Sequence, residues 1–510
     1  VHVRSKRSIL TFLSGELSTA MIVGVSVVAT PLLLRWLGDE RYGAFEAAVD
    51  WFGYVALLEL GIDGALRPLL ARASAGGTKN ERGRLIAGGI EAYSMLAGLM
   101  VVAGIGLTLM MPRLLSVSTS AVKDLRFGCL VGVAGLLTIP LSPFRALLEA
   151  EQKGYFINAA LLGQSLIITV CSLLFAWARW GIKGQFAAVF FGTCAFSVFI
   201  GRAGVRALGS RWCQHFRGVR QSLEWSMIWN LNRPTLTFNV CRQVGQLTDN
   251  IIVAALISPA MVVPFLITQR LAALAQRELQ GIGNASWVAL AELHAQRQMD
   301  IFNDRMVELT RLVAILSIGG LVPIIVYNRH FVTLWVGARC YGGDALTVVA
   351  GVNAFLLAIF SLWGWSIGGT GQVAEVVPGT IVQTFINLAL SLILTFMFGM
   401  IGPVLGTLAG FLTVSSWYLP RLLRRLFDTS VSALIRAALL PLISGVPFGI
   451  MLWWLSNAFP PVGWIEMASE MSFSAGFYLA SWWLMGLTSV ERQLWRQRAY
   501  SLAPKIVYQP

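Results

Sequence analysis

The feature that most limits what this chain can fold into is a set of long stretches with no acid or base. No Asp, Glu, Lys or Arg occurs from Leu17 to Leu34, Gly154 to Ala178, Ala345 to Ala374, Val376 to Pro420, Ala437 to Ile465 or Met471 to Val490. About 20 apolar residues carry a helix across the hydrocarbon of a bilayer, so these stretches are membrane crossings and the longest holds two. Lipid leaves only helices or closed barrels, because no water is there to satisfy backbone N–H and C=O groups. The runs are rich in glycine and branched aliphatics and lack the ten-residue alternation of barrel strands, which leaves helices. Composition points the same way: 56% of the 510 residues are hydrophobic and 13% charged, against about 25% charged in a soluble domain. An ordinary soluble enzyme is excluded.

Turn residues and charges place helices near 9–34, 43–65, 85–111, 125–148, 157–180, 183–205, 233–257, 260–285, 306–327, 344–368, 376–399, 402–420, 433–455 and 471–490. The expectation is an all-α polytopic membrane protein with about fourteen transmembrane helices. The first segment follows Arg4, Lys6 and Arg7 as a signal peptide would, but its apolar run from Ile9 to Leu34 is too long for one and reads as a retained helix. Fourteen crossings put both termini on one side. With that side cytoplasmic, 24 basic residues fall in inside segments and 9 in outside ones, and the last outside loop has none. Lysine and arginine collect on the cytoplasmic side of membrane proteins. A bacterial inner membrane with both termini cytoplasmic is therefore expected, and the net charge of +14 marks a membrane face and no nucleic-acid partner.

The two halves resemble one another. Gln152-Lys153-Gly154 opens a helix that ends in Gly181-Ile182-Lys183-Gly184, and Gly371-Gln372 opens one that ends in Gly399-Met400-Ile401-Gly402. Such repeats are a common ground plan of secondary transporters. The domain expectation is a six-helix lobe with its cytoplasmic linker over 1–222, a second six-helix lobe over 223–430, and two further helices with a cytoplasmic tail over 431–510. Trp212, Trp225 and Trp229 beside arginines suit a linker lying on the membrane surface.

No Walker pattern, histidine cluster or CxxC pair is present, so no metal, no cofactor and no catalytic residue is expected. The charges inside spans carry the functional signal, because each costs roughly 2.5–3.5 kcal/mol in lipid and normally faces an interior or a wet cavity. The second helix carries Glu46, Asp50, Glu59 and Asp63, and the first carries Glu16. Helix seven places Arg242 and Asp249 seven residues apart, and helix eight Arg270 and Arg277. We expect Arg242 and Arg270 to clamp an anionic headgroup, since the planar guanidinium fork binds two phosphate oxygens at once. Asp50 and Asp249 neutralise these arginines in the empty cavity, and Glu16, Glu46, Asp50, Glu59 and Asp63 are candidates for coupling to a proton or sodium gradient. The competing expectation is fixed structural ion pairs, with Glu59, Asp63, Arg277 and Glu278 snorkelling near helix ends. The Gly402, Gly406, Gly410 stripe reads as close helix packing. Most tryptophans near helix ends, Trp335 and Trp482 among them, read as interfacial anchors, and Trp363 and Trp365 are candidates for stacking on sugars.

Leu37-Gly38-Asp39-Glu40-Arg41-Tyr42-Gly43, then Leu60-Gly61-Ile62-Asp63 and Ala65, resemble the start of the polysaccharide flippases (Wzx-like) of the multidrug/oligosaccharidyl-lipid/polysaccharide exporter superfamily. Gln269-Arg270-Leu271, Leu334-Trp335-Val336-Gly337 and the Gly399–Gly406 turn are similar as well, so the resemblance covers about residues 9–420. Pro264-Phe265 departs from the tyrosine-like position expected ahead of Arg270. The resemblance implies two lobes rocking around a central cavity. It also implies transport of an undecaprenyl-pyrophosphate-linked oligosaccharide, an O-antigen or exopolysaccharide repeat unit, to the outer leaflet. Membrane lipids, a polysaccharide polymerase and a chain-length regulator are the expected partners, and the flippase is expected to be a monomer and not an enzyme. Three alternatives stand beside it: a lipid II flippase; a cation-coupled multidrug antiporter, which should offer cations an acidic, aromatic cavity; and a membrane glycan ligase or polymerase, which should have a long outer loop.

Overall fold

Backbone in lipid has to close its own hydrogen bonds, and the computed structural model does so with helix after helix. It describes residues 2–59, 66–67, 69–74, 79–209, 225–486 and 492–493. Among these the long helices are α1 (His2–Leu37), α2 (Asp39–Ala56), α3 (Lys79–Leu114), α4 (Thr119–Gly135), α5 (Ser142–Ala150), α6 (Gly154–Trp177), α7 (Gly181–Leu208) and α8 (Trp225–Leu256). They continue with α9 (Val262–Ala295), α10 (Met299–Trp335), α11 (Asp344–Gly369), α12 (Val373–Phe398), α13 (Gly402–Gly410), α14 (Ser416–Phe427), α15 (Val431–Ala458) and α16 (Trp464–Ser481). The described residues contain no strand.

Two crossings are interrupted, which reconciles these helices with the fourteen expected passes. A 3₁₀ stretch, Leu136–Leu141, joins α4 to α5. Pro140 has no N–H to give an α-helical bond, while Pro143 suits the first turn of the helix that follows. A π-helical turn, Phe411–Ser415, joins α13 to α14. Nine segments among the described residues are long and apolar enough to cross a membrane, and Val373–Phe427 is long enough for two passes. The helices outside that set are α2, α8, α9 and α16. Three of these four carry the charged residues singled out from the sequence. The chain is a multi-pass membrane protein whose least apolar helices hold its candidate chemistry.

Several boundaries differ from those expected. α8 begins at Trp225 and α9 runs to Ala295, because helical hydrogen bonding continues past the apolar stretch. The second helix gives way to a 3₁₀ turn at Leu57–Glu59, where a helix through 65 was expected. Asp63, Trp212 and the side chains of Trp225 and Trp229 lie outside the described residues.

Contacts gather the chain into two compact units. The first holds Val1–Ile267 and Val373–Gly410, and the second holds Thr268–Gln372 and Phe411–Pro510. In the first unit glycines set the helix spacing. A Cβ on Gly43 would overlap the Pro259 carbonyl oxygen, and one on Gly406 would overlap Ser391 Oγ. The glycine stripe of α13 is therefore a packing surface against α12, as expected. Leu70, Ile86, Tyr93, Phe144, Leu147, Ile157 and Ile200 form an apolar core shared by α3, α5, α6 and α7.

In the second unit α10 is the central helix, with Ile315 and Ile318 packed among Phe448, Leu452, Tyr478 and Trp482. Trp363 is buried there and its Nε1 donates to Thr310 Oγ1 at 2.9 Å, so it is a structural side chain and not a sugar platform. Trp335 and Trp482 are also buried in this unit rather than anchoring at the interface. The turns before the repeated helices recur in detail: Gln152 and Gly371 adopt positive φ (57° and 84°) before α6 and α12, and Gly181 and Gly399 (66° and 64°) do so at their far ends.

Candidate functional site

In the first unit α2 packs on α8 closely enough that a Cβ on Gly53 would stand 2.6 Å from Leu247 Cδ1. This approach builds a polar seam. Asn250 Nδ2 donates to Asp50 Oδ2 at 2.7 Å. The Thr248 hydroxyl donates to the Val244 carbonyl, so its single proton is committed and the 2.5 Å bond to Tyr54 must be donated by the tyrosine. Asp249 precedes Asn250 on α8, within electrostatic reach of Asp50. Among the described residues no ion pair joins Asp50 or Asp249 to an arginine. Asp50 is held by an amide 200 residues away in sequence, where the sequence reading had an arginine neutralising it.

Beside the seam lies a cavity of about 430 Å³. Gly53, Ala56 and Glu59 line it from the end of α2, Gln164 from α6, Thr193 from α7 and Gln243 from α8, with Arg67 and Arg145 completing the wall. The arginines share one carboxylate: Arg67 lies 2.9 Å and Arg145 3.1 Å from the two oxygens of Glu149. Both keep more than two fifths of their side-chain surface exposed. Glu59 in the same wall brings a second acid to the two guanidinium groups. Gln164 Nε2 donates to Thr193 Oγ1 at 3.4 Å, a polar step within what reads in sequence as an uninterrupted apolar helix.

The structure thus brings Glu59 into a cavity and Asp50 and Asp249 into one seam. Glu46 is half-buried on α2, while Glu16 is exposed on α1 and Arg277 on α9. Arg242 is exposed on α8 with Gln246 as a weak partner at 3.4 Å. Arg270 belongs to the second unit, half-buried about 12 Å along α9 from its start. The start of α9 is firmly held: Asn328 Nδ2 donates to the Thr268 carbonyl at 2.8 Å and the Gly342 amide to Thr268 Oγ1 at 2.7 Å.

Sequence reasoning overlooked Arg67, Arg145, Gln164 and Gln243. The arginines count equally well as topology charges, and only the polar residues interrupting apolar helices signal a cavity wall. The His, Cys, Asp and Glu side chains of the described residues form no group that could hold a metal. The described cysteines, Cys129, Cys171, Cys194, Cys241 and Cys340, are free.

No protein-family model matches the sequence. No curated protein is similar to it at a significant level. Solved structures are similar in fold. The lipid II flippase MurJ in an inward closed conformation superposes with a TM-score of 0.72 at 14% identity, covering 94% of this chain and 98% of that one. An inward-facing multidrug resistance MATE transporter of the MOP superfamily gives 0.66 at 14% identity over 81% of this chain and 96% of that one. A MATE structure in the bent conformation gives 0.53 at 16% identity over 85% of this chain and 98% of that one. The fold is the one these membrane transporters share, and the all-helical architecture expected from the sequence is the one observed.

Proposed function

We propose that the protein is an alternating-access flippase. It carries a polyprenyl-pyrophosphate-linked oligosaccharide, an O-antigen or exopolysaccharide repeat unit, from the inner to the outer leaflet of a bacterial inner membrane. The observation that carries the reading is coverage. The lipid flippase matches 94% of the chain, whereas the drug transporter matches 81%, so the likeness to a lipid carrier extends over more of the molecule. The cavity chemistry supports an anionic cargo, since Arg67 and Arg145 share one carboxylate beside a polar wall. Arg242 in the first unit and Arg270 in the second are each further candidate phosphate ligands.

Asp50, held by Asn250, and Asp249 next to it in sequence are the coupling acids of this reading. A proton or a sodium ion relieves their mutual repulsion, and its release on the other side of the membrane resets the carrier. The two six-helix lobes supply the rocking elements, both termini lie in the cytoplasm, and a polymerase and a chain-length regulator take the product onward.

Lipid II is the second reading, favoured by the flippase with TM-score 0.72. Both are tested in one experiment. The full chain is reconstituted in liposomes with a fluorescent polyprenyl-pyrophosphate sugar, and outer-leaflet exposure is followed with and without a proton or sodium gradient. Protein-dependent, gradient-dependent exposure is expected. Exposure at the rate of empty liposomes overturns the reading, and a strong preference for lipid II over other glycans replaces the cargo.

A further inference from the structure

The side of the membrane predicted to be outer is poor in basic residues, with nine in all. Four of them, Arg41, Lys123, Arg179 and Lys183, line a single cavity of about 430 Å³ in the first unit. They arrive from three separate places: the first turn of α2, the first turns of α4, and the α6–α7 turn with the first turn of α7 that follows it. None of the four forms an ion pair with another described residue. The one acid in the wall, Asp124, is already engaged. It accepts from the Ile182 amide at 2.6 Å and the Lys183 amide at 3.4 Å, capping the start of α7.

The turn is built for this arrangement. Gly181 has φ +66°, and a Cβ there would overlap Asp124 Oδ2, so only glycine lets the carboxylate reach the helix amides. With its charge directed at those amides, Asp124 is a poor counterion for the four cations. Trp180, 47% exposed, stacks on Phe175 at 4.7 Å beside the cavity, and Phe127 in the wall is 58% exposed. Exposed tryptophan next to a helix end is characteristic of the headgroup level of a bilayer. Four cations around the single carboxylate of Asp124 leave a net positive charge, and an anion from outside the protein relieves their repulsion. Guanidinium forks and ammonium groups together match phosphate oxygens.

We infer that this cavity binds a lipid-borne phosphate at the membrane surface, the headgroup of an anionic phospholipid or the pyrophosphate of a polyprenyl carrier. The polyprenyl arm rests on the transport reading and the phospholipid arm does not, and the test involves no transport. Detergent-solubilised full-length protein is titrated with phosphatidylglycerol, with undecaprenyl pyrophosphate, with phosphatidylcholine and with inorganic pyrophosphate. Binding is read as the fluorescence change lost in Trp180→Phe. Saturable binding of one or both anionic lipids is expected, with the tighter of the two identifying the source, and phosphatidylcholine should bind much more weakly.

A basic residue near an anionic surface contributes about fivefold to binding, so Lys123→Gln with Lys183→Gln should weaken it about thirtyfold. Arg41→Gln with Arg179→Gln gives a second pair for use if the first does not fold. Equal binding of phosphatidylcholine, binding of inorganic pyrophosphate alone, or wild-type affinity in the folded double variants each overturns the proposal.

Discussion

Two regions of the molecule use polar side chains in opposite ways. In the second unit the long helices α10 and α11 bury 50% and 56% of their most apolar windows, against 17% for α6 in the first unit. Several of their polar groups tie helices together: Thr310 accepts from Trp363, and Asn328 donates to both the Thr268 carbonyl and Thr347 Oγ1. In the first unit Gln164, Thr193, Gln243 and the arginine pair on Glu149 line a cavity instead. Polar groups buried against each other fasten helices, whereas polar groups on a cavity wall remain available to a ligand. Composition does not separate the two uses, since both occur inside crossing helices.

The comparison is broken most forcefully at Gly406. If the first unit were loosely packed throughout because it holds a cavity, Gly406→Val would be tolerated. The valine would instead press on Ser391 Oγ and on the Ser391 backbone nitrogen. A loss of about 3 kcal/mol is expected, read as a lowered thermal midpoint in detergent.

Next in size is Asn328→Leu, which removes the donor from the buried Thr268 carbonyl. It should cost about 2 kcal/mol of stability and lower the yield of folded protein, with the transport rate per folded molecule little changed. A large change in that rate would blur the distinction between fastening and cavity groups.

The cavity pair should do the reverse. Arg67→Gln with Arg145→Gln is expected to slow flipping about tenfold or more, because charge-assisted bonds to an anion are lost. The thermal midpoint should barely move, as exposed ion pairs contribute about 0–1 kcal/mol. Arg270→Ala sharpens the question of the second unit, with a drop of about tenfold in flipping expected, equivalent to about 1.4 kcal/mol. Normal transport in that variant would remove Arg270 as a phosphate ligand. The smallest effect is that of Tyr54→Phe, which deletes one hydrogen bond within the α2–α8 seam. Its cost should be about 0.6 kcal/mol, resolved by chemical denaturation rather than by transport.

Much of the architecture was legible because it rests on local properties. Charge-free runs of crossing length and glycine-marked turns gave fourteen passes, and the positive-φ residues at Gln152, Gly181, Gly371 and Gly399 stand where the repeat was read. The glycine stripe at Gly402 and Gly406 was legible for the same reason, since small residues at four-residue spacing form one helix face. The site was legible only in part. Asp50, Glu59 and Asp249 were found as charges misplaced in apolar helices. Arg67 and Arg145 read in sequence as markers of sidedness, because an arginine at a helix end looks the same whether it meets water or a ligand. Trp363 was read as a candidate sugar platform, and its partner Thr310 lies 53 residues away on another helix.

The sequence by itself determined that the chain crosses a membrane as helices, and about how many times. Hydrocarbon accepts no unsatisfied backbone, and apolar length is written residue by residue. Tertiary structure alone decided which polar side chains fasten helices and which face a cavity. That depends on the partner each one meets across distant stretches of chain, and no local pattern encodes the partner. Asp50 meeting Asn250 and Thr310 meeting Trp363 are decided by packing. So is the gathering of Arg41, Lys123, Arg179 and Lys183 around one cavity from three separate segments.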